Sequence, residues 1–133
     1  MTRARRLLLI SVGGAVGGLG RAFVAGIVPI AADAPATRAA ALLAVNLSGS
    51  LLAGYLRGIA ERDQQHGRDI AVVDALLIVG FCGGFTSYSG FVAAASMETA
   101  WTTVATLAGC PLAALLGMWL SGGYPARPAG NPR

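Results

Sequence analysis

With 133 residues, 55% of them hydrophobic and only 12% charged, the chain is too apolar for an ordinary soluble domain, in which charged residues make up roughly 25%. Mean hydropathy is +0.64, and four helices of about 20 residues would use nearly the whole chain, which leaves no soluble domain of useful size. The net charge of +4 sets ten arginines, with no lysine, against six acidic residues. The arginines gather at helix ends rather than in a stripe, so orientation in a membrane explains them better than nucleic acid does.

Helix one is predicted from Leu7 to Pro29. Arg3, Arg5 and Arg6 precede it as in a signal peptide, but no Ala-x-Ala site followed by a hydrophilic region appears, so the run reads as a retained span. Gly13, Gly14, Gly17 and Gly18 form a doubled G-x-x-x-G pattern that lets another helix approach closely. They do not make a nucleotide loop, because Gly18-Leu19-Gly20 lacks the third glycine and follows no strand. Arg21 is a guanidinium well inside a span. It either faces a water-filled vestibule, where it attracts anions, or pairs at a helix interface or snorkels outward.

A polar turn with Asp33, Pro35 and Thr37 leads to helix two, predicted over Ala39 to Ala60. Asn46 and Ser50 stand four apart on one of its faces. An amide in hydrocarbon needs partners, so Asn46 either joins helices or turns its NH₂ toward an anion. Arg57 to Asp69 (RGIAERDQQHGRD) is the strongly polar stretch and reads as a solvated loop, His66 included.

Helix three, Val72 to Met97, contains the anomaly of the chain: Gly80-Phe81-Cys82-Gly83-Gly84-Phe85-Thr86-Ser87-Tyr88-Ser89-Gly90-Phe91. Glycine costs about 1 kcal/mol against alanine in a helix, so Gly80, Gly83 and Gly84 followed by hydroxyls predict an unwound turn near Gly83 to Ser87. Peptide groups freed at membrane depth must face protein, water or an ion, and the break therefore marks a polar or ion-binding centre. Asp74 is placed to stabilise the N-terminus of this helix. Helix four, Trp101 to Leu120, carries Thr102, Thr103, Thr106 and Cys110, with Pro111 a predicted kink. Cys82 and Cys110 lack metal-ligand spacing and read as free buried thiols. Residues 1–122 are thus expected to form one four-helix transmembrane subunit, and 123–133 a disordered tail rich in Pro, Gly and Arg.

The spans hold no paired carboxylates and no Ser/His/Asp set, so the chain is not expected to be an enzyme. Asp33, Glu61, Asp63, Asp69, Asp74 and Glu98 lie in loops or near helix ends, which argues against a proton-driven carrier. What the spans do hold is hydroxyls, an amide, an arginine and aromatic rings, all able to present positive character. Such a set suits a small anion; Phe85, Tyr88 and Phe91 near Ser89 either extend that lining or, as an aromatic stripe at helical spacing more often does, pack in the core.

Three blocks, residues 13–21 (GGAVGGLGR), 45–49 (VNLSG) and 80–91 (GFCGGFTSYSGF), together resemble the bacterial Fluc or CrcB fluoride channels over nearly the entire chain. The resemblance implies an all-α membrane protein of four transmembrane helices with a broken third helix, assembled as an antiparallel dimer with two fluoride pathways. It implies passive export that lowers cytoplasmic fluoride, in the bacterial plasma membrane. It further implies a structural sodium ion, not transported, at the dimer centre and held by the backbone carbonyls of Gly83 and Thr86. Asn46, Tyr88, Ser89 and Phe91 correspond to pore-lining positions, and Arg21 to the helix-one arginine of the vestibule. The family's Thr-Thr-Phe-Ser-Thr-Phe reads Thr86-Ser87-Tyr88-Ser89-Gly90-Phe91 here. Its helix-four track of hydroxyls is reduced to Thr106 and Cys110, with Ala114 next at the same spacing. These departures keep an alternative open, a non-conducting or half-conducting partner subunit of a heterodimeric channel.

With the N-terminus inside, Arg3, Arg5, Arg6, Arg57, Arg62, Arg68, Arg127 and Arg133 fall on the cytoplasmic side and Arg38 alone on the outer side. Such a bias fixes one orientation, with both termini cytoplasmic. A subunit that inserts both ways needs balanced loops, so the expected partner is an oppositely oriented paralogue. Reporters fused after Arg133 are expected to be active on the cytoplasmic side alone; comparable signals from both faces would make the chain dual-topology and remove the need for a paralogue.

Overall fold

The computed structural model describes residues 1–27, 35–87 and 100–122. Those residues form four helices and no strand: α1 (Arg3–Ile27), α2 (Pro35–Gln65), α3 (Ala71–Phe85) and α4 (Ala100–Leu120). Three of them, α1, α2 and α4, are long and apolar enough to cross a membrane, and α3 is a shorter apolar helix. The expected continuation of helix three to Met97 and the tail after Gly122 lie outside the described residues.

The packing is inverted relative to a water-soluble bundle. Buried positions are small, among them Ala39, Ala60, Ala75 and Cys82, whereas Leu8, Leu19 and Phe23 on α1 and Val104, Leu107 and Leu115 on α4 are exposed. Lipid tails are as apolar as leucine, so burying large side chains gains little; close backbone approach gains dispersion and is open only to small residues. At Gly17 a Cβ would strike the Phe81 carbonyl oxygen of α3, and at Gly84 it would strike the Gly14 backbone of α1. Gly54 lies in the same way against Ala114, and Gly117 against the Leu51 carbonyl.

Contacts advance together along each pair, from Gly13 with Leu76 to Gly17 with Phe85, and from Leu47 with Gly109 to Gly58 with Ser121. The subunit is therefore built from two parallel pairs, α1 with α3 and α2 with α4, the second pair running against the first. Residues Asp74–Cys82 of α3 are wound as a π-helix. Its wider turn brings Leu76 and Phe81, five residues apart, onto the same neighbour, α1.

Two expectations are corrected at the polar end. Helix two does not stop at Ala60; Arg57 to Gln65 forms its last turns rather than a loop. Those turns are built from good helix formers, and Arg57 Nε donates to Glu61 Oε1 at 3.0 Å one turn on. Gly67, at φ +76, then ends the run. Nor does Asp74 cap α3. Asp69 Oδ1 accepts the Ala71 N–H at 2.9 Å, while Asp74 bridges Arg57 at 3.3 Å and Arg6 at 3.7 Å. Ion pairing with two arginines outweighs a helix-end charge that Asp69 already supplies. Arg62 donates to the Ser121 carbonyl at 2.6 Å, which neutralises the negative end of α4. The start of α1, the end of α2, the start of α3 and the end of α4 thus share one face. Six of the arginines counted above, Arg3, Arg5, Arg6, Arg57, Arg62 and Arg68, belong to it. Pro111 lies inside α4, which remains a single helix across it.

Because Gly117 meets backbone on α2, Gly117→Val is expected to cost about 3 kcal/mol or more, since helices cannot move apart as a flexible side chain can. Thermal unfolding of the purified protein in detergent checks this; a melting curve like that of the unaltered chain would contradict the α2–α4 packing.

Candidate functional site

The break in α3 falls within the expected stretch from Gly83 to Ser87, at its far end. Gly83, at φ −64 and ψ −37, is still helical, and the backbone turns extended only at Thr86, with φ −74 and ψ 151. Gly80 and Gly84 serve close packing on α1 instead of unwinding. What ends the helix is a set of hydrogen bonds rather than glycine flexibility.

Thr86 closes the helix. Its amide and its hydroxyl both donate to the Cys82 carbonyl, each at 3.0 Å. The next amide departs from the pattern. In a continuing helix the Ser87 N–H would point at the Gly83 carbonyl; here it donates to Asn46 Oδ1 at 2.8 Å. Asn46 Nδ2 donates back to the Ser87 carbonyl at 3.4 Å. One side-chain amide of α2 thus pairs with both polar groups of a single residue, as a neighbouring strand would. Asn46 is 6% exposed and Ser87 4%, so in this setting an unpaired donor or acceptor would cost about 1–3 kcal/mol. Of the two sequence readings of Asn46, the joining of helices is present in the geometry. Its Nδ2 has a second hydrogen for another acceptor.

Room for the turn comes from α2. A Cβ at Gly49 would lie 2.6 Å from Thr86 Cγ2, so this small residue lets the threonine methyl seat against the helix. Phe81 and Phe85 stack with ring centroids 5.8 Å apart, and the Phe85 ring lies between Gly20 of α1 and Gly49 of α2.

Beside the break lies a cleft of about 210 Å³ lined by Asn46, Ser50, Thr86, Ser87, Thr106, Leu107 and Cys110. The structure brings together Asn46, Thr86 and Thr106 of the expected site, from three different helices. Ser50 joins because it is one turn from Asn46, and Cys110 because it is one turn from Thr106. Among the described residues no carboxylate lines the cleft. Its polar groups are an amide, hydroxyls and a thiol, all of them donor types, although the Thr86 hydroxyl already donates to the Cys82 carbonyl. Arg21 stands apart, half-buried on α1 and without an ion pair among the described residues. Tyr88, Ser89 and Phe91 lie outside the described residues.

Sequence reasoning missed Ser87. The signal was present: a buried asparagine needs both a donor and an acceptor, and a broken helix nearby supplies them on one residue. Among the described residues no three His, Cys, Asp or Glu side chains gather to hold a metal, and Cys82 and Cys110 are both free thiols. A second cleft, of about 270 Å³, lies by Arg62, Asp63, His66 and Arg68 at the end of α2. His66 there bonds the Arg62 carbonyl at 2.7 Å, which agrees with an ordinary solvated histidine.

Residues 8–122 match the family described as CrcB-like protein, Camphor Resistance (CrcB). The chain is 35% identical over 119 residues to the fluoride-specific ion channel FluC of Nitratidesulfovibrio vulgaris, a match that covers 87% of this chain and 90% of that protein. It is 36% identical over 91 residues to the FluC of Chlorobium chlorochromatii, covering 68% of this chain and 65% of the relative's length. The FluC of Pyrococcus horikoshii is 33% identical over 89 residues, or 66% of each chain. No solved structure matches.

Proposed function

The chain belongs to the CrcB family, and from that premise we propose that it is a fluoride-specific channel subunit that lowers cytoplasmic fluoride by passive export. Its family is one of transport proteins, not enzymes, and the chain is a multi-pass membrane protein. The observation that carries the reading is the mostly apolar cleft at the break of α3, which among the described residues holds an amide, hydroxyls and a thiol but no carboxylate. Fluoride is small and strongly hydrated. Its entry into a low-dielectric site needs several hydrogen-bond donors, since an uncompensated charge there costs tens of kcal/mol by the Born estimate.

In this reading Asn46, Ser50, Thr106 and Cys110 donate to the ion in turn, and Tyr88, Ser89 and Phe91 complete the lining. Arg21 raises the anion concentration at a vestibule. Neutral donors bind an anion without trapping it as an arginine pair would, which conduction requires.

The break also fits a cation on its other side. The Gly83 carbonyl has lost its helical donor to Asn46, and extended Thr86 turns its own carbonyl off the helix axis. Carbonyl oxygens are ligands for a hard cation such as sodium. Gly83 and Thr86 would hold it, with further oxygens from a second subunit. Such an ion supplies fixed positive charge between the negative ends of two broken helices. Dimerisation is antiparallel in this proposal, with an oppositely oriented paralogue as partner, as the one-sided arginines favour.

A specific observation favours a half-conducting partner as the second reading. The polar lining on α4 stops at Cys110, and Ala114, the next position at that spacing, lies against Gly54. One pathway of a heterodimer is then the weaker.

Purified protein reconstituted in liposomes, alone and with any co-encoded paralogue, is expected to release fluoride faster than empty liposomes and to retain chloride. No fluoride release in either preparation would overturn the channel reading, and release with the paralogue alone would select the second one. Thr106→Val keeps shape and branching but deletes the hydroxyl. Fluoride flux is expected to fall by about tenfold, the equivalent of one hydrogen bond of about 1.4 kcal/mol, with an unchanged melting temperature; flux equal to the unaltered channel would remove Thr106 from the lining.

A further inference from the structure

The pairing of Asn46 with Ser87 does more than satisfy a buried amide. A helix can end by losing a donor, by twisting at glycine or by meeting proline, and none of these occurs at residue 87. Thr86 is extended although it is not glycine and is not followed by proline. The amide of Ser87 is intact and fully used, but its acceptor is Asn46 Oδ1 at 2.8 Å, on a helix 41 positions earlier in the chain. Asn46 therefore replaces Gly83 as the acceptor for that amide. The same exchange stops the helix and releases the Gly83 carbonyl. The return bond from Nδ2 to the Ser87 carbonyl, at 3.4 Å, fixes the rotation of the whole peptide unit, because two bonds to one residue leave no swivel.

From this geometry we propose that Asn46 is a positioning residue, which directs the freed carbonyl of Gly83 and the carbonyl of Thr86 by clamping Ser87, in addition to facing the cleft. Three features make the clamp stiff. Asn46 and Ser87 are almost fully buried, so water does not compete for either bond. Thr86 is tied from the other side through its amide and hydroxyl to Cys82. The absence of a side chain at Gly49 allows α2 to approach the turn closely enough for a side chain as short as asparagine to reach it. The consequence is a link between the two ion-facing sides of the break. The residue whose free N–H is offered to the cleft is also the one that aims carbonyls away from it.

The proposal rests on the sodium reading for its second readout only, and the experiment separates the two. Asn46→Ser keeps a hydroxyl donor in the cleft but is too short to reach Ser87; Asn46→Gln keeps an amide but moves it by one methylene. Amide hydrogen exchange of the full-length protein in detergent is measured at residues 83–87 and along α2. Thermal unfolding is then followed while sodium chloride replaces N-methylglucamine chloride. Clamping predicts that either variant exchanges the Ser87 amide about tenfold faster or more while α2 keeps its protection, since a buried hydrogen bond is worth about that factor. It also predicts a sodium midpoint for stabilisation raised about tenfold, with the same melting temperature once sodium is saturating, a split that loss of general packing would not produce. Unchanged Ser87 exchange in a folded variant would overturn the proposal. Should the unaltered protein show no sodium-dependent stabilisation, the sodium reading fails and the exchange result alone decides the role of Asn46. Fluoride flux reduced with both readouts unmoved would return Asn46 to a plain contact of the ion.

Discussion

The structure depends on the fact that lipid gives helices no hydrophobic reason to meet. In water the burial of leucine and phenylalanine would hold a bundle of this size together at about 25 cal/mol per Å². Here the large side chains already sit in an apolar solvent, and association rests on backbones coming close. That constraint decides where the glycines lie, which side chains face outward and why the interior is made of alanine, cysteine and valine. It also leaves the polar groups of the interior few and conspicuous. Each must be paired, because unsatisfied groups cost several kcal/mol at membrane depth.

Against that background the break in α3 is a substitution of one acceptor for another. Both amides at the break keep an acceptor: the Thr86 N–H stays on the Cys82 carbonyl, which the Thr86 hydroxyl also reaches, and the Ser87 N–H moves to an asparagine of another helix. A polar surface is obtained inside the protein without exposing an orphaned donor. The carbonyls that lose partners and the side chains that gain them lie within one turn of each other. A cleft lined by donors and a turn rich in acceptors are therefore two faces of the same rearrangement.

Much of this was legible in the residues. Composition announced a membrane protein, the doubled G-x-x-x-G of Gly13 to Gly18 announced close packing, and Asn46, Ser50, Thr106 and Cys110 were visible as pairs at helical spacing. The break fell inside the expected stretch, but its cause was less legible. The helix continues through Gly80, Gly83 and Gly84 despite the penalty each carries in any local scale; Gly83 meets no neighbour, but tertiary contact with α1 uses the absence of a side chain at Gly80 and Gly84. Propensity measures the isolated helix, whereas these glycines are explained by a neighbour some 70 positions away in sequence. The end of helix two was misjudged for the opposite reason. Arg57 to Gln65 looks like a loop by polarity, but polarity outside the membrane is no obstacle to a helix whose charges pair at a spacing of four. Asp74 likewise has no local signature of its real partners, since Arg6 and Arg57 come from two other helices.

The pairing of α1 with α3 and of α2 with α4 also shapes how the subunit is made. A ribosome adds about 5–20 residues per second, so the glycine face of α1 waits several seconds for α3, whose first contacting residue, Leu76, lies some 60 positions later. Meanwhile α2 is inserted beside it and has no mate of its own until α4 emerges. The two half-structures are interleaved in time, each open while the other is under construction. Long sequence separation between partners slows folding through the entropy of closing the intervening chain. The nascent chain thus spends its synthesis as a set of separately anchored helices, and the polar break, which needs α2, α3 and α4 together, is the last part of the fold to be enclosed.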